Sequence, residues 1–261
     1  SGGQIVASMP YVMRRRLGRL FLGHPPLTQT LGPWIRETGA KQASCLARQK
    51  DLMQQLIEAL PQYHHFSENW HHSQTNWLPF YWSGFSQTTR YTYVIPNLTD
   101  LDSVWSNFEH SKRKNIKRAA AALDVVFDIP AKKFYDNHSM TLHKQGEVIS
   151  YSRDFFYSIY HAVYARNQGK TIAAFDEKGN LHAALFVIWD EMSAYDLIST
   201  IDPDFRNSGA ASLLVQEIIR YVSDKTNKFD FEGSMIEPIE RFFRAFGAEQ
   251  TLYFAVSHTP S

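Results

Sequence analysis

Apolar residues along this chain switch between two spacings, and the switches mark the elements. Tyr91-Thr92-Tyr93-Val94-Ile95 is rich in β-branched and aromatic residues and predicts a strand. Leu101, Trp105, Phe108, Ile116, Ala119 and Leu123 then recur at helical spacing, predicting a helical region over 99–123. Lys112 falls on that stripe, so a break is expected near Ser111. A strand over 125–129 and helices over 132–144 and 153–166 follow. Three apolar runs, 171–175, 181–189 and 193–201, read as strands. Their turns are Asp176-Glu177-Lys178-Gly179-Asn180 and Asp190-Glu191. Ala211, Leu214, Val215, Ile218 and Val222 form the stripe of the next helix, capped by Asn207 or Ser208. The chain closes with a strand over 228–232, a short helix over 236–246 and a strand over 250–256.

The first ninety residues are less regular. Residues 3–22 read as a hairpin, with Ile5 to Val12 in one arm, Leu20-Phe21-Leu22 in the other and the basic run Arg14 to Arg19 as its turn. A loop rich in Pro and Gly spans 24–34. Leu52, Leu56, Ile57 and Leu60 predict a helix over 49–60. Residues 63–70 and Phe80-Tyr81-Trp82 read as strands, and the aromatic segment 77–85 as core or interdomain packing. Gly3-Gln4-Ile5-Val6-Ala7 resembles Gly179-Asn180-Leu181-His182-Ala183. Each precedes a loop, an amphipathic helix and a strand, which suggests two copies of one α/β unit. The expected division is 1–98 and 99–261. The first copy would lack its opening elements, with residues missing upstream of Ser1 and a sheet edge left unfilled.

Composition narrows the class. The chain has 261 residues, 44% of them hydrophobic, enough for two domains. A net charge of +1 provides no overall electrostatic footprint for nucleic acid, although a local patch is compatible with it. A single cysteine, Cys45, fits a reducing compartment, so a cytoplasmic location is expected. No run has the length of a membrane span. Walker A, Gly-x-Gly-x-x-Gly, Gly-x-Ser-x-Gly and His-Glu-x-x-His patterns are absent. Their absence argues against nucleotide hydrolases, nicotinamide enzymes, serine hydrolases and zinc proteases.

Between the strand 193–201 and the helix after it lies Arg206-Asn207-Ser208-Gly209-Ala210-Ala211. Small residues at a helix N-terminus let a ligand approach backbone N–H groups, an arrangement suited to a pyrophosphate. A plain capped helix explains the same six residues. Arg-x-x-Gly-x-Ala in this context resembles the coenzyme-binding signature of the GNAT N-acyltransferases. Three more stretches sharpen the resemblance: Arg90 to Ile95, Ser111 to Ala119, and Phe229-Asp230-Phe231-Glu232-Gly233-Ser234 with Glu240 to Ala248. Together they are similar to the FemAB-like, tandem-GNAT branch over about 91–256.

The resemblance implies an α/β GNAT fold, a mixed central sheet flanked by helices, as a tandem duplication with an incomplete first copy. It implies an enzyme that moves an acyl group from acyl-coenzyme A to a small-molecule or peptide amine. Two other readings stay open: an aminoacyl-tRNA-dependent transferase acting on a peptidoglycan precursor, and a degenerate GNAT binding module. The donor would lie where strands 193–201 and 228–232 splay apart, with backbone N–H groups stabilising an oxyanion. Glu232, Tyr195 and Ser234 are the catalytic candidates; an exposed strand-end carboxylate is the plainer account of Glu232. Either Tyr195 or Asp196 faces the cleft. His143 is a candidate base, although a surface helix histidine is the plainer account of it. Arg206 to Ala211 would hold coenzyme A. Arg113 and Lys117, with Lys112, Lys114 and Arg118, form a basic helix face for substrate or tRNA phosphates, or a solvated face. His64, His65, Glu68, His71 and His72 would align for a metal only on a helix, and no metal is expected. Oligomeric state stays open.

Overall fold

The computed structural model describes residues 3–233 and 235–260. They form two compact units: one runs to Tyr91 and resumes at Thr251, the other is Thr92–Gln250. Among the described residues no helix is long and apolar enough to cross a membrane.

In the first unit β1 (Ala7–Ser8) pairs antiparallel with β4 (Trp34–Ile35), outside the main sheet. β2 (Val12–Arg16) and β3 (Arg19–Gly23) form the hairpin. Its turn is Leu17-Gly18, both with positive φ (49° and 74°), the geometry a two-residue hairpin favours. The arginines 14–16 therefore lie on a strand rather than in the turn, and residues 3–7 are not a hairpin arm. α1 (Gln42–Glu58) begins earlier than expected, because its first turns carry polar residues and no apolar stripe. β5 (His65–Asn69) runs parallel to β3. α2 (Leu78–Trp82) replaces the strand expected at 80–82. Pro79 sits at the helix start, and Phe80 is fully buried while Tyr81 and Trp82 are exposed. β6 (Ser86–Ile95) leads into the second unit. Met53, Phe66, Trp70, Phe80, Phe85 and Val256 are among the residues of the first unit's core.

In the second unit α3 (Leu101–Asn107) is capped by Asp100, and α4 (His110–Ala120) follows. The break comes at Phe108, whose backbone is extended (ψ 139°), not near Ser111. Lys112 does not interrupt the helix; it is buried. Then come β7 (Asp124–Phe127), α5 (Ala131–Lys144), α6 (Arg153–Ala165), β8 (Gly169–Phe175), β9 (Leu181–Trp189) and β10 (Ser193–Ile201). After a 3-10 turn at Pro203–Phe205 come α7 (Ala210–Val222), β11 (Lys228–Asp230), α8 (Glu237–Arg244) and β12 (Glu249–His258). The strand order is β7-β8-β9-β10-β11-β6, and only β10 and β11 are parallel. Helices cover both faces. Leu185 and Val187 of β9 pack in one core cluster with α7. Phe186 between them meets Phe134 of α5 and Phe156 and Tyr160 of α6.

The units repeat one order of connections. In each, an antiparallel hairpin (β2–β3, β9–β10) leads through a helix (α1, α7) to a parallel strand (β5, β11). The antiparallel neighbour of that strand comes from the far end of the other segment: β12 pairs with β5, and β6 pairs with β11.

Candidate active site

β10 and β11 pair over three positions only: Ser193–Lys228, Ala194–Phe229 and Tyr195–Asp230. Beyond Tyr195, β10 runs on to Ile201 without β11, so the two strands part at Tyr195 and Asp230. A bulge follows at once. Asp196 pairs with Val187 and Ile198 with Phe186, leaving Leu197 unmatched.

Acidic side chains gather at this fork. Asp230 Oδ1 accepts the Thr92 hydroxyl at 2.5 Å and the Glu232 amide at 2.8 Å. Asp196 is 6% exposed; Ser199 donates to its Oδ2 at 2.7 Å, while its Oδ1 is buried with no partner. The strand ends at Asp230, so Glu232 lies past it in a left-handed turn (φ 55°), with Gly233 likewise at 69°. It is not the exposed strand-end carboxylate that the sequence suggests. Burial, then the charges of Asp230 and Asp196, push the Glu232 carboxyl up to about 8. Burial raises Asp196 to about 6. Tyr195 donates to Asp190 Oδ2 at 3.3 Å, and burial holds its hydroxyl above the usual phenol range. Of the alternatives Tyr195 and Asp196, the second is the buried one. Ser234 lies outside the described residues. His143 is exposed near the end of α5.

The segment 206–211 is built differently from expectation. The N-cap of α7 is Gly209 (φ 84°), not Asn207 or Ser208. The Ser208 hydroxyl does accept from the Ala210 amide at 3.2 Å. A Cβ on Gly209 would stand 2.9 Å from the Asn115 carbonyl oxygen and 3.2 Å from the Ala119 Cβ. Arg118 donates to the Asn207 carbonyl at 2.9 Å. The missing side chain at 209 thus admits helix α4. Ala210 and Ala211 are buried, and Arg206 is exposed, donating to the Pro203 carbonyl at 3.3 Å.

The basic residues of α4 divide into three roles. Arg113 reaches back to the carbonyls of Trp105 and Ser106 (3.4 and 2.5 Å), satisfying the end of α3. Lys112 donates to Ser212 at 3.3 Å and lies 3.8 Å over the Phe242 ring and 4.5 Å from that of Phe246. Lys114, Lys117 and Arg118 are exposed, and the Arg118–Asn207 bond brings that face beside the Arg206 loop. Sequence reasoning gave Asp230 and Thr92 no role. β11 stops at Asp230 and Glu232 follows in a left-handed turn, so strand alternation does not carry from one acid to the other. Among the described residues no group of three or more His, Cys, Asp and Glu side chains has metal-holding geometry. His64 instead accepts the Leu20 amide on Nδ1 at 3.0 Å.

Residues 106–235, which contain the fork, α4 and the 206–211 segment, match the family model described as Acetyltransferase (GNAT) domain. These residues form a GNAT acyltransferase domain. The fold of the chain is FemAB-like. The structure of FemX superposes with a TM-score of 0.68 at 11% identity, covering 97% of this chain and 85% of that one. A tandem GNAT protein from the clavulanic acid biosynthesis pathway gives 0.57 at 11%, covering 100% and 82%. L-PGS from Bacillus licheniformis gives 0.55 at 12%, covering 96% and 80%. No curated protein matches the chain by sequence. The reaction class of this domain is acyl transfer to an amine.

Proposed function

We propose that the β10–β11 fork transfers an aminoacyl group from an ester donor, of the aminoacyl-tRNA kind, to a primary amine, with Glu232 as base. The acceptor enters as an ammonium ion, attracted by the carboxylates at the fork. Its proton passes to ionised Glu232, whose raised pKa suits that transfer near neutral pH. The freed nitrogen attacks the acyl carbon, and the unmatched Leu197 amide at the bulge is placed to donate to the oxyanion. As the intermediate collapses, the C–O bond breaks and the leaving oxygen takes the proton shed by nitrogen. A peptidoglycan-precursor amine is an acceptor of this chemistry. The observation that carries the donor assignment is the seat of α4 on Gly209, which accounts for that glycine by helix packing rather than by a pyrophosphate. Donor phosphates then fall to the exposed Lys114, Lys117, Arg118 and Arg206.

A second reading keeps acyl-coenzyme A as donor, favoured by Arg206-x-x-Gly209-x-Ala211 directly after β10. The repeated connections also favour the first unit as a second copy of the fold, with a division close to the unit boundary. The deciding experiment offers charged tRNA or acetyl-coenzyme A to the full chain with a lysine-containing peptide and reads the product by mass spectrometry. Product from charged tRNA alone supports the proposal, and product from acetyl-coenzyme A alone supports the second reading. Glu232→Gln should slow either reaction by about a hundredfold or more. No product from either donor would leave a binding module.

A further inference from the structure

Asp196 has no direct part in that chemistry, yet it is as deeply set as Asp230, each 6% exposed. It sits at the bulge of β10, beside the unmatched Leu197. One carboxylate oxygen is held by Ser199 at 2.7 Å, and the other is buried with nothing to accept from. Such a group is costly to keep, since a buried carboxylate oxygen loses water without replacement. Its surroundings offer no relief. β9 places apolar Val187 and Phe186 opposite the bulge. The charged residues of α7 are Glu217 and Arg220, which pair with each other at 3.4 Å. On α5, Asn137 and Thr141 bond Thr200 at 3.2 and 2.9 Å, Lys132 pairs with Asp136, Lys144 with Asp202 and Asp204, and burial holds His138 neutral at about 4. The remaining titratable groups at the fork are Tyr195, Asp190, Asp230 and Glu232; the Asp196 and Asp230 charges both act on Glu232.

We infer that Asp196 is a positioning residue for acyl transfer, a fixed buried negative charge that acts through Glu232 and holds the acceptor's proton there. This rests on Glu232 being the base. Two like charges at close range cannot both ionise freely, so each carboxyl titrates as part of a pair. With Asp196 ionised, Glu232 binds the ammonium proton tightly enough to release a neutral amine. Ser199, which is exposed, keeps Asp196 in the ionised form by donating to it. No further reactant is needed; one proton moves from nitrogen to the Glu232 carboxylate, and the charge on Asp196 is unchanged.

The test is a carbon NMR titration of the side-chain carboxyls of the full chain, which needs no substrate. In the wild type the Glu232 carboxyl should titrate near 8. In Asp196→Asn, of the same shape but uncharged, its midpoint should fall by about one pH unit or more, and Asp196→Glu should restore it. Ser199→Ala should move the Asp196 midpoint upward from about 6, a second measurement that stands if Asp196→Asn does not fold. A Glu232 midpoint unchanged in folded Asp196→Asn, or an Asp196 midpoint unchanged in Ser199→Ala, overturns the inference, because a purely packing role would move neither. n-Butylammonium, titrated into wild type, separates the two levels. Coupling with binding at the fork supports both. Coupling without binding overturns the amine reading and the role in transfer with it. Binding without coupling overturns Asp196 alone.

Discussion

The Asn115 carbonyl oxygen of α4 lies 2.9 Å from the point a Cβ on Gly209 would occupy, and Gly209 itself has φ 84°. A side chain there meets backbone that cannot step aside, and L-residues resist that angle. Gly209→Ala should cost roughly 2 kcal/mol or more in folding stability, the left-handed strain adding to the overlap. Chemical denaturation measures it. A variant as stable as the wild type would mean that α4 can withdraw and that the segment is open to a ligand.

Lys112 is 8% exposed and lies at the first turn of α7, where the helix dipole opposes a cation. Burial lowers its pKa to about 8, against 10.5 for an ordinary lysine. The folded state then binds fewer protons than the unfolded one between pH 8 and 10.5, so this residue's contribution to stability rises with pH across that window. Lys112→Met should remove the rise. Denaturation midpoints of both proteins at pH 7 and 10 test it: the wild type should gain on the variant at the higher pH.

In the first unit Glu68 is 1% exposed, and neither carboxylate oxygen has a partner. Burial raises its pKa to about 8, from 4.5. Here the sign reverses. The protonated form suits the fold, so stability is fully present below pH 4.5 and is lost as pH rises toward 8. The limiting slope is about 1.4 kcal/mol per pH unit. Glu68→Gln should match the wild type near pH 4 and exceed it at pH 9. Parallel stability curves for the two proteins would show that water or a counter-charge reaches Glu68.

The exposed cations of α4 and the bound one should separate by mutation. Lys114→Ala with Lys117→Ala should weaken binding of tRNA, read by filter binding, with a loss that shrinks as salt rises. Arg113→Ala should instead lower stability by about 1 kcal/mol, because the Trp105 and Ser106 carbonyls lose their donor. Equal tRNA affinity at low salt for the double variant would make that face a solvated one.

Elements with a sustained apolar period were legible to within a few residues: β8, β9, β10, α5, α6 and α7 all lie close to where the spacing puts them. Local chemistry hid the rest. Phe80-Tyr81-Trp82 is aromatic enough for a strand, but only one of its rings is buried, and Pro79 starts a helical turn. A cation on an apolar stripe predicts a helix break at Lys112, yet two aromatic rings and a hydroxyl accommodate it. The small residues of 206–211 predict a ligand close to the backbone, while what lies close to Gly209 is helix α4, 94 positions earlier at Asn115, which no local pattern carries. The fork was legible as two strand ends. The convergence of Asp196, Asp230 and Glu232 depends on a bulge and a left-handed turn, and neither has a spacing signature.

The exchange of last strands also sets an order of synthesis. β5 takes its antiparallel neighbour from residues 249–258, at the opposite end of the sequence. Until those residues leave the ribosome, β5 is an unfinished sheet edge and the Phe66–Val256 core is incomplete. Every residue of the second unit precedes Thr251, and its own neighbour strand, β6, is made before the rest of it. The half of the chain that is translated first therefore waits for residues made after every residue of the second unit.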